Sequence, residues 1–485
     1  MMRPLSALCL LSLFLVEEAT CSYRHHKLSE FRAKLEEKAA SNFNQAVSLL
    51  PSEASNNTRI GRVFYPIVYG ADPSGANESS DAFLKTLGDA FQLQNGLELL
   101  PGINDLGGIV IDLQGGNYKI NQPLRFPSGG GNLVVKGGTL RASDQFPTDR
   151  HLIELWSPSS KKLSEVVAEP IKHVKFIDSK DQNIGMYYED ITFRDILFDS
   201  SYRGGGIFLV DTARIRINNC FFLHFTTQGI LVQKGHETFI SNSFLGQHST
   251  VGGDKGEKDY TATAIDLNSN DNAITDVAIF SAAVGIILRG QANILSGVHC
   301  YNKATGFGGI GIFVKLAGNS QTRIDNCYLD FTSIVLEDPV QVHVTNGLFL
   351  GDANIVLKSI HGQVFGLNIV DNMFNGSPQN KIPIVNLDGE FTKVDQVVID
   401  RNNAIGMSLK STVGKLVVAS NGTKWAADFS EVLVFPNRIS NFQYSFQSQG
   451  DPKFTSHAVT NVTNNVVVVE SEKVVNALVS VVVEQ

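Results

Sequence analysis

A short hydrophobic phrase returns seven times between Gly206 and Leu357. Each copy has an isoleucine followed two positions later by an aliphatic residue, and the isoleucines are 23, 35, 21, 26, 22 and 21 residues apart. This period is too long for a hairpin meander and too short for strand–helix–strand units. It is typical of one coil of a parallel β-helix, whose stacked coils share a core. The copies read GIFL (206–209), GILV (229–232), AIDL (264–267), GIIL (285–288), GIFV (311–314), SIVL (333–336) and NIVL (354–357).

The repeat predicts an all-β chain in four segments. We expect a signal peptide at 1–22, a helical segment and linker at 23–62, a right-handed, single-stranded parallel β-helix at 63–402, and a small β-rich appendage at 403–485. An open β-helix end is an exposed sheet edge, so we expect the appendage to pack on it or cap it. Strands are predicted at Gly107–Asp112, Asn117–Ile120 and Leu133–Val135, and in the appendage at Glu431–Phe435, Asn441–Phe446 and Asn465–Val483.

The N-terminus has the order of a secretory signal. Arg3 is followed by the apolar run Leu5–Val16 and then by Ala19-Thr20-Cys21. Twelve apolar residues are too few to cross a bilayer, and no other segment is a candidate. We therefore expect a secreted protein of the extracellular space or cell wall, without a membrane association after cleavage. Five glycosylation sequons agree with secretion, at Asn56, Asn77, Asn375, Asn421 and Asn461.

Composition excludes several classes of protein. A formal net charge of -8 makes nucleic-acid binding unexpected. Signal cleavage would leave Cys220, Cys300 and Cys327, of which the last two lie on successive coils. Those two cysteines could pair, or all three could be buried free thiols. No His/Cys metal spacing, phosphate loop or nucleophile elbow is present, so we expect no metal and no cofactor. We also expect a monomer.

A second periodic signal accompanies the coils. Asparagine recurs in the pattern apolar-x-Asn-x-apolar, and Asp276 holds the matching place in its coil. One polar residue per turn predicts a stack of side chains that satisfies the backbone at a corner. We interpret these residues as structural. The asparagines are Asn219, Asn242, Asn326, Asn346 and Asn372.

Alternation along each strand predicts two outward rows of side chains. The isoleucine and the residue two later face inward, and the residues between and after them face outward. Asp266 then lies one coil from Arg289 and two from Lys315. A carboxylate beside basic residues suits the binding and cleavage of an anionic polymer, although a solvated sheet with ion pairs such as Lys315–Glu337 is an alternative. The first row is Phe208, Leu231, Asp266, Ile287, Phe313, Val335 and Val356; the second is Val210, Gln233, Asn268, Arg289, Lys315, Glu337 and Lys358.

The longest coil contains an insertion at 248–260, just before Asp266. Insertions on a rigid scaffold are favoured places for function. Glycoside hydrolysis uses two carboxyl groups, and we predict Asp266 with Asp259 or Glu257 as the catalytic pair. A solvated charged loop is the alternative. Predicted substrate-binding residues are Arg289, Lys315, His248 and Lys303, and further acids on nearby coils are Asp199, Asp211 and Glu237.

Residues 63–375 resemble the pectate-lyase-like β-helix superfamily. YGADPSG (69–75) followed by SSDAF (79–83) is similar to the opening of that group, and NDNAITDVAIF (270–280), QAN (291–293) and HCYNKATGFGG (299–309) are similar to plant quartet-type polygalacturonases. The resemblance implies a secreted pectin-degrading glycoside hydrolase that inverts configuration. Its implied substrate is α-1,4-galacturonan of the plant cell wall, as in the separation of pollen after meiosis.

The chain departs from ordinary polygalacturonases at their catalytic motifs. Asn-Thr-Asp, Gly-Asp-Asp and Arg-Ile-Lys are missing, and Gly235-His236-Glu237 matches only half of Gly-His-Gly. The segments leading into two strands read TTQG (226–229) and TATA (261–264), without acids. Two other functions therefore stay open. One is a calcium-dependent pectate lyase with Arg289 as the base, and the other is a non-catalytic pectin-binding wall protein.

Overall fold

The structure, a computed structural model, describes residues 59–93, 96–160, 185–247, 260–301, 308–450 and 454–485. These residues form a long parallel β-helix followed by a four-stranded antiparallel sheet. This confirms the predicted fold class. The predicted signal peptide, most of the 23–62 segment and Asn56 lie outside the described residues. Among the residues described, no helix has the length and apolarity needed to span a membrane.

The chain enters the β-helix through short strands, a 3₁₀ turn and one α-helix. The 3₁₀ turn spans Pro66–Tyr69, and α1 spans Ser80–Phe91 and buries Phe83 and Leu87 against the first coils. The predicted strands at 107–112, 117–120 and 133–135 are confirmed within β4, β5 and β7. The strands are β1 (Arg59–Ile60), β2 (Val63–Phe64), β3 (Glu98–Leu100), β4 (Ile103–Asp112), β5 (Asn117–Ile120), β6 (Leu124–Arg125), β7 (Gly130–Ala142), β8 (His151–Leu155) and β9 (Tyr188–Asp199).

Successive coils contribute parallel strands to three faces, called sheets 1, 2 and 3. Sheet 1 consists of β8 with β10 (Gly205–Val210), β14 (Gln228–His236), β17 (Thr263–Asn270), β20 (Val284–Leu288), β23 (Ile310–Val314), β26 (Ser333–Glu337), β29 (Ile355–Lys358) and β32 (Val385–Asp388). The short β11 (Thr212–Ala213) lies in the turn that leaves sheet 1.

Sheets 2 and 3 complete each coil. Sheet 2 continues β9 with β12 (Arg216–Asn218), β15 (Phe239–Ser241), β18 (Ala273–Thr275), β21 (Asn293–Ser296), β24 (Thr322–Asp325), β27 (Val340–Thr345), β30 (Gln363–Val370), β33 (Lys393–Asp395) and β34 (Val398–Asp400). Sheet 3 consists of β13 (Phe221–Leu223), β16 (Phe244–Gly246), β19 (Ala278–Phe280), β22 (His299–Tyr301), β25 (Tyr328–Asp330), β28 (Leu348–Leu350), β31 (Met373–Asn375) and β35 (Asn403–Ile405).

The repeated phrase forms the core of sheet 1. The isoleucines and the aliphatic residues two positions later are all fully buried, at 0% exposure. They stack on their counterparts in the next coil, as Ile230 does on Ile265 and Ile265 on Ile286. The predicted inward positions are therefore confirmed. Rows of phenylalanine extend the same core through sheet 3, where Phe198 stacks on Phe222 with 4.7 Å between ring centres.

Each coil turns between sheets 2 and 3 at one residue with a left-handed backbone. Asparagine and aspartate tolerate this conformation better than other non-glycine residues. In the coil of Asn372 the left-handed residue is its neighbour Asp371, at a φ of 59°; the predicted role of Asn372, to satisfy the backbone at a corner, is confirmed by its side-chain contacts. Asn372 is instead buried, and its Oδ1 accepts a hydrogen bond of 2.8 Å from the Gly347 amide. The predicted corners with φ of 50–55° are Asn219, Asn242, Asp276, Asn326 and Asn346.

The C-terminal sheet is built on one long central strand. β39 (Val466–Glu484) pairs antiparallel with β36 (Val413–Asp428), β37 (Asn441–Ser448) and β38 (His457–Thr463). The predicted strands at 441–446 and 465–483 are thus confirmed, and β36 was not predicted. The predicted strand at 431–435 is wrong, because that segment forms only an isolated bridge between Ser411 and Leu433. The core of the C-terminal sheet includes Trp425, Phe429 and Val481.

The segments before and after β36 cover the last coil of the β-helix. The Ser411 hydroxyl donates to the carbonyl of Ile399 at 2.9 Å, and the Ile399 amide donates to the Thr412 hydroxyl at 3.0 Å. Phe435 is buried in the main core with Phe391. The appendage therefore packs on the open end and satisfies its free backbone groups.

The described cysteines are free and buried: Cys220, Cys300 and Cys327. The Cys300–Cys327 pair that the sequence allowed is not formed. The thiol of Cys327 donates to the carbonyl of Asp325 at 3.3 Å, and burial raises the pKa of Cys220 and of Cys327 to about 12. These thiols act as small core residues.

We predict that inward and outward isoleucines differ sharply in their contribution to stability. Ile286 is 0% exposed in β20, and Ile294, in β21 of the same coil, is 50% exposed. Ile286→Ala should lower the free energy of unfolding by about 2–5 kcal/mol because it removes buried methyl groups and leaves a cavity. Ile294→Ala should change it by less than about 1 kcal/mol. Denaturant unfolding of both variants measures this, and equal losses would contradict the inward and outward assignment.

Candidate functional site on the outer face of sheet 1

The outer face of sheet 1 carries the two predicted rows. Parallel register aligns Leu231 with Asp266, Asp266 with Ile287, and Ile287 with Phe313. The first row also extends from Phe208 to Glu154 on the preceding coil, a position that the repeat does not indicate because β8 lacks the glycine–isoleucine phrase. Neighbouring members of a row lie about 4.8 Å apart. The sheet thus holds this set of outward side chains at fixed spacing.

Asp266 and Arg289 form a two-point ion pair on this face. The guanidinium of Arg289 donates from Nε to Oδ1 of Asp266 at 2.8 Å and from Nη2 to Oδ2 at 2.9 Å. Asp266 is 7% exposed, and its row neighbours Leu231 and Ile287 are apolar. The hydrogen bonds to Asp266 raise the pKa of Arg289. Each carboxylate oxygen keeps a second lone pair for another donor.

The second row contains a further ion pair, different from the one considered in the sequence. Nζ of Lys358 lies 3.2 Å from Oε1 of Glu337, which is 8% exposed. Among the described residues, the predicted pair Lys315–Glu337 is not formed. Lys315 is exposed, and its Nζ lies 5.6 Å from the ring centre of Phe313. Lys315 lies on the coil before Glu337 and Lys358 on the coil after it, and Glu337 pairs with Lys358.

Four predicted site residues cannot be placed. His248, Glu257 and Asp259 belong to the insertion, and Lys303 belongs to the segment after β22; all four lie outside the described residues. Asp266, Arg289 and Lys315 are therefore the members of the predicted site that the structure brings together. In the described ranges, no group of three or more His, Cys, Asp or Glu residues is arranged to hold a metal ion.

The other acids proposed from sequence each have a separate environment. Asp199 accepts a hydrogen bond of 2.7 Å from Nδ1 of His224, on the side of sheet 3. Asp211 accepts a hydrogen bond of 2.7 Å from the Ser160 hydroxyl, and burial raises the pKa of Asp211. Arg214 forms ion pairs with both Glu237 and Glu189, and its Nη1 lies 3.0 Å from Oε2 of Glu237. That arginine links an acid of the coil before its own to an acid of the coil after it, and it was not identified from the sequence.

The lower end of the outer face is closed by a buried polar cluster. Glu154 is 1% exposed and accepts hydrogen bonds from Arg150 at 2.8 Å and from the Trp156 indole at 2.9 Å. Burial alone would raise the pKa of Glu154, but these hydrogen bonds outweigh burial and lower it. Arg125 lies over Trp156, 3.2 Å from its ring centre. Each Glu154 oxygen accepts two hydrogen bonds from the protein, whereas each Asp266 oxygen accepts one, so Glu154 has no lone pair left for a substrate and is suited to a structural role.

Similarity to a known protein agrees with this fold and this outer face. The register and the phrase together define a parallel β-helix protein of the pectin-lyase-like fold. The chain is 52% identical over 429 residues to polygalacturonase QRT3 of Arabidopsis thaliana, which covers 87% of this chain and 84% of the relative. The chain belongs to this polygalacturonase family, which confirms the resemblance seen in the sequence. No protein-family model matches the chain.

Solved structures resemble the chain more distantly. The Streptococcus pneumoniae adhesin PfbA is 12% identical with a TM-score of 0.47, over 71% of this chain and 92% of the adhesin. The tailspike of E. coli bacteriophage HK620 is 10% identical with a TM-score of 0.44, over 87% of this chain and 93% of the tailspike. The assignment of the fold depends on the strand register described above and not on these likenesses.

We predict that the buried His151 makes the protein lose stability between pH 6.5 and 4. Burial lowers the pKa of His151 from 6.5 to about 4, so the unfolded chain binds a proton in this window that the folded chain does not. The contribution of His151 is complete above pH 6.5 and falls by on the order of 3 kcal/mol as the pH drops through the window.

Thermal unfolding of the wild type and of His151→Gln, measured from pH 7 to pH 4, checks this expectation. The variant should show a shallower decline. Glu154, whose pKa is also lowered, should still contribute a decline in both proteins as the pH falls below its unfolded pKa. His457→Gln, at an exposed histidine of β38, is the control and should keep the wild-type slope. An unchanged slope in His151→Gln would contradict the prediction.

Proposed function

We propose that this protein is a secreted polygalacturonase that hydrolyses α-1,4-galacturonan in the plant cell wall, including walls that part during pollen separation. The observation that carries the proposal is the Asp266–Arg289 pair, set in an otherwise apolar stretch of the outer face in a member of the polygalacturonase family. A carboxylate at a fixed place on an extended sheet is one half of the acid pair that glycoside hydrolysis uses.

Asp266 is suited to the basic role in that pair. A carboxylate with both oxygens engaged by a guanidinium is a proton acceptor and not a donor. In an inverting mechanism it would accept a proton from the attacking water, which can bind a remaining lone pair of Oδ1 or Oδ2. Arg289 positions the carboxylate, and the proposal assigns its remaining nitrogen, Nη1, to a substrate hydroxyl oxygen.

The proton donor in this proposal is Asp259 or Glu257 of the insertion. The supporting argument is from sequence, because the insertion directly precedes β17, the strand that carries Asp266. His248 of the insertion and Lys303 complete the proposed substrate contacts. The proposal thus takes the base from a strand of sheet 1 and the donor from the insertion that precedes this strand in the sequence.

The lyase alternative is disfavoured by the state of Arg289. A lyase base must bind a proton from the substrate, so an arginine in that role needs a lowered pKa. Hydrogen bonds to Asp266 change the pKa of Arg289 in the opposite direction. The non-catalytic pectin-binding alternative has no such objection, and activity measurements separate it from the hydrolase.

We predict that Asp266→Asn abolishes the release of reducing ends from polygalacturonate. The amide cannot accept the proton of the attacking water, and losses of this kind are roughly 100-fold or more. Asp271→Asn is the matched control because Asp271 is an exposed turn residue of the same coil, and it should keep full activity. Equal thermal midpoints for both variants would show that folding is intact.

Product analysis distinguishes the other two functions. Calcium-dependent formation of unsaturated sugars by the wild type would identify a lyase. Binding of polygalacturonate without any chain cleavage over a long incubation would identify a binding protein. Full activity of Asp266→Asn with saturated products would leave the hydrolase standing but remove Asp266 from its mechanism.

We predict that the secreted protein carries N-linked glycans. Asn77, Asn421 and Asn461 are exposed, and Asn375 is partly buried in β31. Expression in plant cells should deliver a protein to the medium that lacks residues 1–22 and loses mass on treatment with an N-glycanase. Replacing the three exposed asparagines with glutamine should remove most of that mass change. Retention of the protein inside the cells with an intact N-terminus would contradict secretion.

A further inference from the structure

The basic residues of the second row are mostly neutralised by acids of the same face. Arg289 is bound by Asp266 at 2.8 Å, and Lys358 is bound by Glu337 at 3.2 Å. Lys315 lies between them in the row, and among the described residues no carboxylate lies within salt-bridge distance of it. Among the described residues of the second row from β17 to β29, Lys315 therefore carries the one positive charge that no carboxylate compensates.

The first row beside these cations is an apolar surface. Ile287 and Val335 are 7% and 9% exposed, and Phe313 between them is partly exposed. A carboxylate placed over Ile287 or Val335 would lose water without gaining a partner, whereas a methyl ester loses much less. At Phe313 the situation differs, because Nζ of Lys315 and Nζ of Lys358 lie 5.6 and 5.7 Å from its ring centre.

We propose that this face reads one free carboxylate of the galacturonan, at Lys315, and accepts methyl-esterified sugars at the adjoining positions. The inference rests on the proposed function and adds the esterification state of its substrate. Phe313 lies two coils from Asp266, or about 10 Å along the row, so the sugar read by Lys315 is not the one at Asp266. The polymers that fit this face are therefore the unesterified and the partly methyl-esterified galacturonan, and the fully esterified polymer lacks the carboxylate that Lys315 binds.

The first test compares cleavage of unesterified, half-esterified and fully methyl-esterified galacturonan by the full-length protein. The wild type should cleave the first two at rates within about threefold and the third roughly tenfold more slowly, the effect of losing one charge-assisted hydrogen bond. A rate that falls in step with esterification would overturn the proposal, because it would mean that several carboxylates are read. Equal rates on all three polymers would also overturn it.

The second test removes the charge at Lys315. Lys315→Met keeps the apolar stem over Phe313, and it should lower kcat/KM on the two acid-bearing polymers roughly tenfold while leaving the fully esterified polymer unaffected. Lys315→Arg should retain the discrimination. Lys393→Met, at an exposed lysine of β33 in sheet 2, is the matched control and should behave as the wild type. Equal losses of Lys315→Met on all three polymers would contradict carboxylate reading.

Binding measurements separate this inference from the proposed hydrolysis. If the wild type cleaves none of the polymers, the hydrolase proposal fails, and affinity electrophoresis in gels containing each polymer still tests Lys315. The half-esterified and unesterified polymers should then retard the wild type equally, and Lys315→Met should lose that retardation. Equal retardation of the wild type and Lys315→Met would overturn the inference whatever the cleavage result.

Discussion

Stacking of inward aliphatic side chains between coils is the interaction on which the rest of this structure depends. A single coil of about 22 residues cannot bury its own apolar face, so each coil is stable only against its neighbours. The residue before the isoleucine is tightly confined: a Cβ at Gly206 or at Gly285 would lie 2.4 Å from a carbonyl oxygen of the next coil. Close coil contact therefore explains the buried isoleucine of every copy and the glycine of the copies that carry one.

The same stacking determines where chemistry can occur. Inward positions are filled by the core, so functional side chains are confined to outward rows and to turns. Asp266 and Arg289 are 23 residues apart but lie on neighbouring coils, and their contact follows from register. The periodicity of the sequence was enough to place these two residues together, because strand alternation and coil length leave little freedom in an outward row.

The partners of individual charges could not be derived in this way. Glu337 has neighbours on two coils, and a lysine side chain is long enough to reach either, so periodicity alone could not distinguish Lys315 from Lys358. Asn372 shows the same limit, since Asp371 beside it fits the left-handed corner equally well. β36 was missed for another reason: Ser420-Asn421-Gly422 is typical of a turn, and the structure continues the strand through it.

The two segments without acids that precede strands of sheet 1 have a defined position relative to the proposed base. Gln228 and Thr263, from the acid-free segments TTQG and TATA, are register partners at the start of β14 and β17. Asp266 lies three residues further along β17, about 10 Å away along the strand. The proposed base thus lies further along the sheet than these two segments, beside the row that holds Arg289 and Lys315. The proposed mechanism takes its donor from the insertion, which precedes β17 in the sequence.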